Sequence, residues 1–255
     1  MSGVLDRILA DKRLRLARGE YTATAPAART SDGGRFVASL LEPGVRIVAE
    51  FKASSPSSGE IVSGADGKLE TFALAYRRGH AAAISVVSEQ DHFGGRSEWV
   101  TRAKRISGLP VLMKDFVVSE RQLDFALSLG ADAVLLIVRA LDDRSLGELR
   151  RAAADRGLAV VVEAHGGEEI PRAAAVAPDV LGVNSRDLGT FRTDLSSLEL
   201  LAGDLPAGPI PLAESGISSR DEVARLFAAG WKAFLVGESL LRSEDPERTL
   251  RELAS

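Results

Sequence analysis

From residue 46 onward the 255-residue chain repeats one arrangement eight times: a short run of β-branched and apolar residues, then a longer stretch rich in Ala, Leu, Arg and Glu. The short runs are 46–51, 82–87, 110–113, 133–138, 159–163, 180–183, 210–213 and 233–236. Such alternation predicts βαβ units around a parallel sheet. The runs are apolar throughout, as expected for strands buried on both faces. Eight units in a chain of this length predict an α/β fold, a single (β/α)8 TIM barrel, which typically takes ~250 residues. A doubly wound open sheet is the competing architecture, and no Gly-x-Gly-x-x-Gly follows a strand to favour it. Gly79, Gly108, Gly130, Gly157, Gly208 and Gly230 stand just before strands. Each is expected to end a helix in the left-handed conformation. Ahead of the barrel (46–255), residues 1–45 form an N-terminal helical extension packed on it, with helical patterns over 4–19 and 34–41. No linker or second domain is expected.

Composition removes several function classes. A net charge of −4 lacks the basic excess that a nucleic-acid partner requires. With no cysteine there is no disulfide framework, thiol nucleophile or cysteine-ligated metal, and a cytoplasmic location is expected. The first residues alternate charge with Leu and Ile, unlike a signal peptide. No run of ~18 apolar residues occurs, so no membrane association is expected. The three histidines, His80, His92 and His165, show no metal-ligand spacing, and no metal is expected.

Arginine outnumbers lysine 26 to 6, yet two of the lysines, Lys52 and Lys114, fall where an apolar run breaks into loop. A lysine can give up its proton where an arginine cannot, so these positions point to acid–base or imine chemistry. In a parallel barrel all C-terminal strand ends converge on the face that carries active sites. Those ends read Glu50 and Lys52, Lys114, Glu163, Asn184 with Arg186, Glu214 with Ser215, and Gly237 to Ser239. Polar residues also end strands because loops are polar, which accounts for any one of these positions. It does not account for Glu50 and Glu163, which are embedded in apolar runs where an unpaired carboxylate is costly.

After the last two strands come Ser215-Gly216-Ile217 and Gly237-Glu238-Ser239. Glycine lets backbone N–H groups approach an anion in front of a helix N-terminus, so the pair predicts a phosphorylated small-molecule substrate. The loop at 52–59, small and serine-rich, is a candidate lid. Phe93 and Phe116, set among polar residues, are candidates to face an aromatic ligand.

Six segments, Ile47–Ser57, Leu112–Val117, Val162–His165, Leu181–Leu188, Ala213–Ile217 and Val236–Leu240, resemble in order the motifs of indole-3-glycerol phosphate synthase. The resemblance implies a cofactor-independent lyase of tryptophan biosynthesis, converting 1-(2-carboxyphenylamino)-1-deoxyribulose 5-phosphate to indole-3-glycerol phosphate, carbon dioxide and water. By the family pattern Lys114 is the general acid of ring closure, and Glu163 the acid/base of dehydration. Glu50 and Lys52 stand at the reacting centre. Asn184, Arg186, Glu214 and Ser215 hold substrate groups. Ser55, Ser215, Gly216, Gly237, Glu238 and Ser239 take the phosphate, and Pro56, Phe93, Phe116, Leu135 and Leu188 bed the anthranilate ring. A monomer is expected, with weak association to other tryptophan-pathway enzymes left open. Ala53 and Ser58 depart from the family, whose members often carry a basic residue there.

Three rival readings follow from the same residues. Phosphoribosylanthranilate isomerase would use a cysteine, which this chain lacks. A Schiff-base aldolase would use Lys114 as nucleophile, and a non-catalytic barrel would retain only binding.

Overall fold

The computed structural model describes residues 3–23, 31–186 and 193–255. Eight parallel strands close into a barrel in chain order. They are β1 Arg46–Phe51, β2 Ala83–Val87, β3 Val111–Lys114, β4 Ala133–Ile137, β5 Ala159–Ala164, β6 Val180–Asn184, β7 Ile210–Glu214 and β8 Ala233–Val236. The seam is a full ladder, with Arg46 opposite Ala233 and Ala49 opposite Val236. Helices α3 Ala65–Arg78, α4 Glu98–Ser107, α5 Glu120–Ser128, α6 Asp143–Asp155, α7 Ile170–Ala175, α8 Leu195–Leu201, α9 Arg220–Ala229, α10 Glu238–Arg242 and α11 Pro246–Ala254 follow the strands; α1 Val4–Ala17 and α2 Gly33–Leu41 precede them. The loop rich in Ala and Thr between α1 and α2 falls largely outside the described residues, and so does Leu188. No described helix is long and apolar enough to cross a membrane.

The apolar strands are buried on both faces because two cores flank them. One lies between sheet and helices; the other fills the barrel, where Val48, Leu112, Val161, Leu212 and Leu235 meet Phe36 and Leu40 of α2. Phe36 and Leu40 are fully buried, each contributing roughly 1.5–3 kcal/mol relative to an exposed side chain. Helix α2 thus plugs the N-terminal mouth. Its first residue, Gly33, lies so close to the start of β5 that a Cβ there would come within 2.5 Å of the Ala159 nitrogen. The backbone N–H of Asp32, the α2 cap, donates to Asp132 Oδ1 at 2.7 Å.

Four of the six glycines expected to end helices in the left-handed region do so: Gly108, Gly130, Gly157 and Gly230, with φ of 67, 82, 75 and 117°. Gly208 is also left-handed, at 116°, but sits in the turn entering β7. Gly79 departs from the expectation. Its φ is −75°, and the next residue, His80, takes the left-handed turn at 64°. Space explains the glycine instead, since a Cβ would lie 3.0 Å from the Glu247 carbonyl oxygen and 3.1 Å from Leu250 Cβ on α11.

Candidate active site

Side chains alternate between the two faces of a strand, so a residue two positions beyond an interior one also points inward. Val48 leads to Glu50, Leu112 to Lys114, Val161 to Glu163, Leu212 to Glu214 and Leu235 to Gly237. The first member of each pair lies in the barrel core, and the second opens on a cavity of about 420 Å³ at the C-terminal mouth. Glu50, Lys52, Ser55, Pro56, Phe93, Lys114, Phe116, Leu135, Glu163, Asn184, Arg186, Glu214, Ser215, Gly216, Gly237, Glu238 and Ser239 all line it. Of the candidates, only Leu188 lies outside the described residues.

Lys114 Nζ lies 2.6 Å from Glu214 Oε2 and 3.0 Å from Glu163 Oε2. Lys52 Nζ pairs with Glu50 Oε1 at 2.7 Å. Asn184 Nδ2 donates to Glu163 Oε1 at 3.4 Å, while its own Oδ1 accepts the Arg186 backbone N–H at 3.0 Å. The three carboxyl groups are buried, and two ammonium groups and three potential anions share one site. Burial works against the charge on Lys114, but Glu163, Glu214 and Glu50 outweigh it and hold the ammonium above the ordinary lysine value. Burial likewise opposes ionisation of Glu50 and Glu163. Lys52 and Lys114 reverse this for Glu50, which is lowered. Lys114 and the hydrogen bond from His165 hold Glu163 well below the usual carboxylate range. Glu214 behaves differently: burial, aided by the charge of Glu163, prevails over Lys114 and pushes it up to about 8. With Glu214 protonated, two cations face two anions.

The substrate end of the cavity differs in detail from the sequence reading. Helix α9, after Ser215-Gly216-Ile217, is closed by its own capping box: Ser219 caps it, and Glu222 accepts the N–H groups of Ser218 and Ser219 at 2.8 and 2.9 Å. Of the two helices that follow these motifs, it is α10, which has no side-chain cap, that begins openly at the cavity. The Glu238 carboxylate is turned aside to Arg242 Nε at 2.9 Å and Ser58 Oγ at 3.2 Å. Ser215 adopts φ 71° and Gly216 77°, and Ser185 Oγ holds the Ser215 carbonyl at 3.0 Å. Gly237 is expected to be small for an anion's sake, and in the structure it also leaves room for Glu50, whose Oε1 would lie 2.7 Å from an added Cβ. Gly182 does the same for Glu214 Oε1. The candidate lid contains a two-residue antiparallel pair, Ser54–Ser55 with Gly59–Glu60, tied to the loop after β2 by the Ser54 N–H donating to the Phe93 carbonyl at 3.1 Å. Phe93 and Phe116 lie 6.1 Å apart between ring centroids.

Sequence reasoning missed several groups on the cavity wall, Arg242 among them. His165, read in the sequence only as lacking metal-ligand spacing, has a buried side chain whose Nε2 lies 3.1 Å from Glu163 Oε1. Its position two residues after Glu163 was the available signal. Val4, Leu5 and Ile8, one apolar face of α1, also line the cavity; their helical spacing marked a buried face but not what it covers.

Comparison with known proteins gives one consistent result. The sequence model of the indole-3-glycerol phosphate synthase family matches residues 5–253. The indole-3-glycerol phosphate synthases of Koribacter versatilis (strain Ellin345) and Azospirillum brasilense are each 40% identical over 265 and 262 aligned residues, covering 99% of both chains. An indole-3-glycerol phosphate synthase 2 of Streptomyces coelicolor is 39% identical over 258 residues, again covering 99% of both. Among solved structures, 3-hexulose-6-phosphate synthase from Salmonella typhimurium aligns with a TM-score of 0.64 at 15% identity, covering 82% of this chain and 96% of that one. Orotidine 5'-phosphate decarboxylase from Pyrococcus horikoshii OT3 aligns at 0.61 and 13%, covering 82% and 97%. At such identities the structural likeness speaks for the barrel alone.

Proposed function

The chain belongs to the indole-3-glycerol phosphate synthase family, and from that premise we propose how its residues carry out the family's decarboxylating step of tryptophan biosynthesis. The observation that carries the assignment is Lys114 held charged between Glu163 and Glu214. An ammonium so held is a proton donor. As the ring carbon bearing the carboxylate attacks the substrate ketone, Lys114 protonates the developing alkoxide, and loss of carbon dioxide restores aromaticity. Glu214, protonated below about pH 8 and 2.6 Å away, returns a proton to Lys114. Glu163, ionised in the resting site, is the base of the dehydration that follows. Lys52, paired with Glu50, is the second ammonium in reach of the departing hydroxyl.

Substrate recognition follows the chemistry of the walls. Pro56, Phe93, Phe116 and Leu135 bed the anthranilate ring, as does Leu188 by the family pattern, and Asn184 and Arg186 orient the hydroxyls. The phosphate rests on Ser55, Ser215, Gly216 and the open start of α10 at Gly237, Glu238 and Ser239, with Arg242 beside it. No cofactor is needed, because every step is a proton transfer or a bond cleavage driven by aromatisation.

The extension 1–45 and the barrel 46–255 work as one catalytic unit. Among the described residues four large apolar side chains are exposed, Leu14, Leu41, Leu200 and Phe227, on four different helices, which favours a monomer. The absence of cysteine favours a cytoplasmic location.

The imine-forming alternative needs a neutral amine. At the ordinary lysine value only roughly one lysine in 2,500 is neutral at pH 7, and the Glu163 and Glu50 carboxylates near Lys114 reduce that fraction further. Purified protein given the carboxyphenylamino substrate is expected to develop indole fluorescence. A flat trace from correctly folded protein would favour the non-catalytic barrel instead.

A further inference from the structure

Helix α1 buries a lysine that the proposed chemistry leaves unused. Lys12 is 1% exposed. Its Nζ lies 2.7 Å from Asp115 Oδ1 and 3.4 Å from Glu89 Oε1, and donates to the Tyr21 hydroxyl at 3.0 Å. Neither carboxylate is incidental. Asp115 directly follows Lys114 and accepts the Phe116 backbone N–H at 2.7 Å. Glu89 organises the loop after β2, accepting the N–H groups of Asp91, His92 and Phe93 at 3.2, 2.7 and 3.0 Å. The same helix grips that loop twice more: Arg15 donates to Asp91 and Gln90 at 3.1 and 2.8 Å, and Asp11 pairs with His92 at 2.9 Å.

An apolar side chain would attach a helix to a barrel at least as strongly as a buried ion cluster, which has to offset the desolvation of every charge. What the cluster adds is direction. The ammonium holds Asp115 and Glu89 at fixed points, and those two carboxylates hold the backbone of Phe116 and Phe93. We propose that Lys12 is a positioning residue for substrate binding, keeping the Phe93–Phe116 wall and the α1 face of Val4, Leu5 and Ile8 in register with the end of β3. This rests on the reading that those aromatic rings bed the anthranilate. It makes affinity for the aromatic half of the substrate depend on a residue of the N-terminal extension that never touches it.

The test is steady-state kinetics of Lys12→Met beside Lys104→Met. Lys104 sits at the opposite end of the barrel, with Nζ 2.7 Å from Asp132 Oδ1 and 2.8 Å from the Gly130 carbonyl, and serves as a control for the loss of an anchoring charge. Lys12→Met is expected to raise KM roughly three- to tenfold with kcat little changed, the pattern of lost uniform binding to an aromatic group. Lys104→Met is expected to lower the melting temperature and leave KM as it was. Unchanged KM in Lys12→Met, or an equal rise in Lys104→Met, would overturn the positioning role. Should Lys12→Met fail to fold, Tyr21→Phe decides the matter, since it removes one hydroxyl from the cluster: a raised KM at unchanged kcat supports the role, and wild-type values overturn it. Wild-type protein without turnover would instead remove the functional reading on which this inference stands.

Discussion

Replacing Glu214 with glutamine isolates the one carboxyl in the site that stands on the wrong side of neutrality. Glu214 Oε2 touches the Lys114 ammonium, its Oε1 is buried without a hydrogen-bond partner among the described residues, and Gly182 leaves the room it occupies. Glutamine has the same shape and stays neutral at every pH. In the native protein the folded value near 8 lies above the ordinary glutamate value of 4.5. A raised folded value contributes stability that is fully present below 4.5 and is lost as pH rises through 8. The slope between those limits is about 1.4 kcal/mol per pH unit, which sums to at most on the order of 4 kcal/mol from pH 5 to 8. A protein of this size loses roughly 2–4 °C per kcal/mol. The melting temperature of the native protein should therefore fall, relative to Glu214→Gln, by on the order of 10 °C across that range.

The other carboxylates do not blur the comparison. Glu50 and Glu163 are lowered, so their contributions are lost only on the acid side as pH falls through their folded values. Thermal melts of both proteins at pH 5, 6.5 and 8 provide the measurement, and the kcat/KM profile supplies a second reading. The native profile should decline above about pH 8, as Glu214 loses the proton that recharges Lys114. That limb should be absent in the variant. Parallel melting curves would refute the assignment of the proton to Glu214.

Two further outcomes test the site from other sides. Lys114→Ala should reduce kcat by ~10²-fold or more, the scale for loss of a general acid; turnover near the native rate would end that role. Gly237→Ala should lower kcat by ~10-fold or more, because the new methyl would strike Glu50 and shift it against Lys52. A rise in KM with kcat intact would instead return Gly237 to the phosphate.

The barrel was legible in the sequence because its strands are short, apolar and separated by helices, and that pattern survives without any knowledge of contacts. The inward direction of a strand was harder to read. Strands buried on both faces, such as 159–163, do not alternate, so the polar residue at the end is the only local sign of which face meets the barrel axis. That sign sufficed for Glu50, Lys114, Glu163 and Glu214. It could not say which carboxylate pairs with which ammonium, because that depends on the stagger between strands, as where β6 puts Asn184 opposite Glu214. For the same reason the sequence could not show that Gly182 and Gly237 each leave space for a carboxylate from another strand. Lys12 was hidden for a different reason. Its partners, Asp115 and Glu89, lie far along the chain, and an isolated lysine on an amphipathic helix ordinarily reads as solvated surface.

The extension contributes to both ends of the barrel, and that division has a physical logic. Helix α2 closes the N-terminal mouth with Phe36 and Leu40, a dry plug that needs only volume and hydrophobicity. Helix α1 borders the C-terminal mouth, where a purely apolar contact would leave the helix free to slide over a cavity that substrate must enter. Its contacts there are accordingly mixed: Val4, Leu5 and Ile8 line the cavity, while Asp11, Lys12 and Arg15 bind the loop after β2 and the residue following Lys114. Hydrogen bonds and ion pairs of fixed geometry restrict the helix to one register, whereas area burial alone is indifferent to small displacements. Stability and alignment are thus assigned to different helices of one segment, and a substitution that weakens the plug should act on melting temperature while one that loosens the ion cluster should act on substrate affinity.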